Sequence, residues 1–60
     1  MASSRWSYQV VEIKPKLFRP MAKEVQDRLN QLGLQGWELV SATQSHQLSP
    51  VLMYLKKEMA

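Results

Sequence analysis

The chain contains no cysteine and a single histidine, His46, so neither a disulfide nor a thiolate zinc site can staple it, and one imidazole cannot hold a metal alone. No cofactor or metal is expected. Glycine is scarce too: Gly33 and Gly36 stand by themselves, with neither the spacing nor the setting of a phosphate-binding loop. They also follow the predicted helix, where its dipole repels anions. No apolar run approaches the roughly 20 residues that cross a bilayer, and residues 1–6 lack the apolar core of a secretory leader. A cytoplasmic protein without a membrane partner is therefore expected. Sixty residues form one domain at most, spanning 1–60, and a domain of that size buries only roughly 60% of the surface its unfolded chain exposes. With the covalent and metal staples excluded, self-association is the remaining one.

Residues 6–13, Trp-Ser-Tyr-Gln-Val-Val-Glu-Ile, are rich in aromatic and β-branched side chains and predict a first strand. Pro15 stops its ladder. Pro20 presets the backbone angle for a helix over about 20–32, in which Ala22, Val25, Leu29 and Leu32 recur on one face. Gly33 is expected to take the left-handed conformation that ends this helix, and Gly36 to let the chain turn back. A second strand follows over 37–44, a polar connection over 45–50 and a third strand over 51–58. The expected fold is α+β: a βαββ unit with a three-stranded, mainly antiparallel sheet and one helix packed on one face. The short connection makes strands two and three a hairpin; a central third strand, the preferred order, would leave every neighbouring pair antiparallel, whereas a central second strand would make the first pair parallel with a right-handed crossover.

Alternation divides the apolar strand residues into two sets, because successive side chains point to opposite faces. Tyr8, Val10, Trp37, Leu39, Met53 and Leu55 are expected beneath the helix residues Val25, Leu29 and Leu32, with Trp37 as the principal core side chain. Val51 falls in the same set. The alternate positions Val11, Ile13, Val40, Ala42, Leu52 and Tyr54 then form a second apolar face that a single helix cannot cover. Such a face on a marginal domain predicts a homodimer or a higher even-numbered oligomer.

The chain carries eight Lys and Arg against five Asp and Glu, a net charge of +3. Lys14, Lys16, Arg19 and Lys23 gather around Phe18 between the first strand and the helix, and an aromatic among cations can stack a base and hold a phosphate. This stretch is the candidate site for nucleic acid or an acidic partner. Its ordinary explanation is a solvated loop in which Leu17 and Phe18 cap the core. Glu12 and Glu38 are the strand carboxylates, better explained by surface ion pairs than by acid–base work. Ser45 beside His46 lacks a third group to orient a relay. No catalytic residues are assigned and an enzyme is not expected.

The set Trp6, Tyr8, Val10, Val11 and Glu12, then Leu29, Asn30, Leu32, Gly33, Gly36, Trp37, Glu38, Leu39 and Val40, then Tyr54 and Lys56, resembles a small bacterial and phage family, domain of unknown function 4177. The resemblance spans nearly the whole chain and implies a βαββ unit, with no reaction, cofactor or catalytic residue to carry over. The short 45–50 connection lacks the Gly-rich expansion of many members. The expected function is a non-enzymatic, homo-oligomeric protein-interaction or regulatory module. Nucleic-acid binding through residues 14–23, and a small nucleotide or metabolite held between subunits, are the alternatives.

Overall fold

A computed structural model describes residues 5–59; residues 1–4, most of the segment read for a leader, and residue 60 lie outside them. Four elements follow in the order β1 (Arg5–Ile13), α1 (Met21–Leu34), β2 (Glu38–Thr43) and β3 (Val51–Met59). The fold is α+β, a βαββ unit. The sheet runs β1-β3-β2 with both pairs antiparallel, so the last strand is central and both ladders are built on it. β1 pairs along its full length, from Arg5 opposite Met59 to Ile13 opposite Val51. β2 is shorter and irregular. Its register slips between Leu39 and Ser41, leaving Val40 as the extra residue of a bulge and largely exposed.

The helix starts at Pro20, whose extended backbone (φ −63°, ψ 140°) places it just outside the first turn, with its carbonyl accepting from the N–H groups of Lys23 and Glu24. Glu24 adds a carboxylate at the amino-terminal end, where the helix dipole favours it. The helix ends one glycine later than its sequence suggests. Gly33 lies inside it, whereas Gly36 has the positive φ, at +92°. Two hydrogen bonds close the end: Trp37 N–H donates to the Leu32 carbonyl and Gly36 N–H to that of Gly33, each at 3.0 Å. This is the paired closure of a Schellman motif, and it requires the left-handed residue at the Gly36 position. Lys57 on β3 adds a third tie, its Nζ donating to the Gln35 carbonyl at 2.9 Å and lying 5.1 Å from the Trp37 ring centre.

Among the described residues six side chains form the buried core: Val11, Ile13, Leu32, Val51, Met53 and Leu55, with Met21, Val25, Leu29 and Trp37 packed partly buried against them. Met21 stands where the sequence pattern put Ala22, which is exposed. Met53 and Leu55 on the central strand are fully buried, and burial of each contributes about 1.5–3 kcal/mol.

The two faces of β1 are the reverse of the sequence expectation. Val11 pairs with Met53 and Ile13 with Val51, which places both beneath the helix and removes them from any outer interface. Tyr8 and Val10, expected in the core, are 73% and 61% exposed on the opposite face. The adjacent valines make either parity apolar, and a one-residue change of parity turns every side chain over. Glu12 decides it physically, because a carboxylate in step with Tyr8 and Val10 would be stranded beneath the helix. On β2, Ala42 pairs with Met53 and so belongs to the helix side, while Leu39, opposite Leu55, is half-exposed. Leu52 and Tyr54 do lie on the open face, in register with Glu12 and Val10.

Candidate functional site

The chain leaves β1 at Ile13 and reverses through a tight turn in which Lys16 and Arg19 bridge each other in antiparallel fashion. Leu17 and Phe18 form the tip of this turn. Phe18 has φ of +67° in the third of its four positions, where glycine or asparagine normally supplies a positive φ. For a bulky L-residue that conformation costs about 1–2 kcal/mol. Neither side chain recovers that cost inside the molecule, since Phe18 is 100% exposed and Leu17 84%. Neither caps the core.

The flanks of the turn are tied down by charge. Arg19 reaches two helix carboxylates, Nε lying 2.6 Å from Glu24 Oε1 and an Nη 2.9 Å from Asp27 Oδ2. The contact to Asp27 is a formed hydrogen bond, whereas the one to the enclosed Glu24 oxygen is a close ion pair out of line for one. Lys16 approaches the other oxygen of Glu24 at 3.4 Å, and Lys23 and Lys14 lie 3.9 Å from Asp27 and Glu12. The sequence-based site is thus assembled in space, but each of its four cations has a carboxylate beside it. An open groove of about 340 Å³ runs between this network and the end of β1, lined by both signs of charge. A phosphate backbone would have to displace the native partners of these cations before contacting them. All these pairs are at least partly exposed, so each contributes no more than about 1 kcal/mol to the fold.

The open side of the sheet is the second candidate surface. Cross-strand partners share a face, so Trp6, Tyr8 and Val10 of β1 stand beside Glu58, Lys56 and Tyr54 of β3. Lys56 Nζ lies 4.4 Å from the Trp6 ring centre. Three carboxylates, Glu12, Glu38 and Glu58, and one cation, Lys56, share this face by the pairing register. The face therefore combines an apolar, aromatic centre with a net negative rim. Its β1 half is the part that sequence reasoning misplaced; the alternation of Trp6, Tyr8 and Val10 with Glu12 in the same step carried the signal.

The remaining polar candidates do not converge. Glu12 and Glu38 sit on opposite edges of the sheet, in register with Leu52 and Lys56, which separates them by about 13 Å along the strands and about 10 Å across them. Ser45 bonds Ser49, Oγ to Oγ at 2.8 Å, and His46 Nδ1 accepts from the Leu48 N–H at 3.3 Å, so the two neighbours serve the turn separately. Among the described residues no group of three or more acidic or histidine side chains could hold a metal ion, and no helix is long and apolar enough to cross a membrane.

A comparison with curated proteins finds no match, and neither does one with solved structures. The sequence profile of one family, described as a domain of unknown function, DUF4177, matches residues 6–57. That match covers the helix, β2 and all of β1 and β3 but Arg5, Glu58 and Met59, and the chain belongs to the DUF4177 family.

Proposed function

We propose that this protein is a small, non-enzymatic, self-associating interaction module of the bacterial or phage-infected cytoplasm, and that the open sheet face is its contact surface. The observation that carries the reading is the exposure of Tyr8 and Val10 beside Tyr54 on a face that none of the described elements covers. Apolar side chains left in water along β1, with Tyr54 beside them on β3, are a surface that association buries. The thin core supports the same reading, because six buried side chains give a single helix and sheet little stabilisation of their own.

Light scattering across a micromolar dilution series tests it. The wild type should have at least twice the 7.0 kDa chain mass at the upper end of the series and dissociate on dilution. Val10→Asp, placing a charge in the centre of the open face, should lose the assembly and keep the native circular dichroism at low temperature, while melting below the assembled wild type. A wild type that is monomeric throughout and unfolds cooperatively on heating would refute the proposal.

A further inference from the structure

We propose that the assembly is made by docking the Leu17–Phe18 tip of one copy onto the open sheet face of a second copy. This rests on the self-association reading and specifies its contact. Phe18 is a fully exposed aromatic held at a positive φ, and no contact among the described residues offsets either feature. Its turn is nevertheless tied back to the helix, by the Lys16–Arg19 bridge and by the contacts of Arg19 to Glu24 and Asp27. A projecting apolar tip on an ordered base loses little conformational freedom when it docks, which is the condition under which one aromatic anchor carries much of an interface.

Charge selects the occupant. Around the tip, Lys14, Lys16, Arg19 and Lys23 outnumber the carboxylates beside them, Glu12, Glu24 and Asp27, by one, while over the rest of the open face Glu38 and Glu58 outnumber Lys56 by one. Packing two copies face on face would set a net negative rim against its own likeness. Setting the tip against the face opposes unlike charges at the rim, with Phe18 against Tyr8 and Tyr54 at the centre. A two-fold axis satisfies both contacts at once, since each copy then offers its tip to the other's face.

The test uses two single variants and their mixture, followed by sedimentation equilibrium. Phe18→Gly removes the tip aromatic and supplies the residue suited to φ +67°, so the folded chain should melt no lower than wild type at a dilution where both are monomeric. Tyr8→Lys alters an exposed position of the face. Each variant alone should need at least tenfold higher concentration than wild type to assemble. An equimolar mixture should recover a heterodimer, because the intact tip of the Tyr8→Lys chain meets the intact face of the Phe18→Gly chain. Leu17→Ser replaces Phe18→Gly as the tip variant if the latter fails to fold. Wild-type assembly by the tip variant overturns this inference and leaves the self-association reading standing. Two monomeric variants whose mixture stays monomeric also overturn it. A monomeric wild type overturns both.

Discussion

Exchanging each glycine for alanine should move stability in opposite directions, and the sign depends on which of them ends the helix. Gly33 lies within Met21–Leu34, lacks a positive φ, and a Cβ built on it meets nothing within 4 Å. Alanine there removes the entropic penalty of a helical glycine, so Gly33→Ala should stabilise by about 0.5–1 kcal/mol. Gly36 has φ of +92°, and its added Cβ would lie 3.4 Å from Lys57 Cδ. That contact is ordinary, so the penalty comes from the backbone: a left-handed L-residue costs about 1–2 kcal/mol. Gly36→Ala should therefore destabilise by about that amount, with the Schellman bonds of Trp37 and Gly36 weakened as the turn readjusts. Urea titration followed by circular dichroism measures both, at one protein concentration because association adds to apparent stability. For a domain of this size each kcal/mol moves Tm by about 4–8 °C, so the two variants should fall clearly on either side of wild type. A destabilised Gly33→Ala beside an unaffected Gly36→Ala would mean that the left-handed turn sits at Gly33, and the helix-end geometry would be refuted.

A second pair probes the faces of β1. Val11→Asp puts a carboxylate against fully buried Met53 and should abolish the cooperative thermal transition, whereas Val10→Asp should retain a cooperative transition at a lower midpoint from lost assembly; equal damage from the two would show the strand parity to be wrong. Lys57→Met keeps the aliphatic stem but removes the ammonium that caps Gln35 and faces Trp37, and should cost about 1 kcal/mol in the same urea titration. No change in midpoint would mean that the cap contributes nothing.

Much of the fold was legible because its signals are local. Pro15 and Pro20 bracket the connection between β1 and α1, and the helix shows its apolar spacing at Val25, Leu29 and Leu32. The short run from β2 to β3 pointed to a hairpin, but whether β2 or β3 is central was decided only by the pairing of β1 with β3. The helix end was read one glycine early, since Gly33 and Gly36 offer the same local freedom and differ in which carbonyls their neighbours can reach. The bulge at Val40 had no local signature at all, being a mismatch of register between two strands.

The candidate sites divide in the same way. Composition revealed the clustering of Lys14, Lys16, Arg19 and Lys23 around Phe18. It could not reveal that Glu24 and Asp27, on the following helix, would sit beside three of those four cations, because that depends on how the loop folds back along α1. The exposure of Phe18 and its positive φ are likewise consequences of the turn that Lys16 and Arg19 close.

The sequence by itself determined the kinds of element, their order, and the presence of more apolar strand surface than one helix can cover, because periodicity and proline placement act within a few residues. Only the tertiary structure decided which of that surface is hidden. The parity of β1 depends on its register with β3, which buries Val11 and Ile13 against Met53 and Val51 and turns Tyr8 and Val10 outward. Glu12 carries a local hint of that parity, but which residues stand opposite which is set by pairing between positions from 38 (Ile13 and Val51) to 54 (Arg5 and Met59) residues apart in the chain.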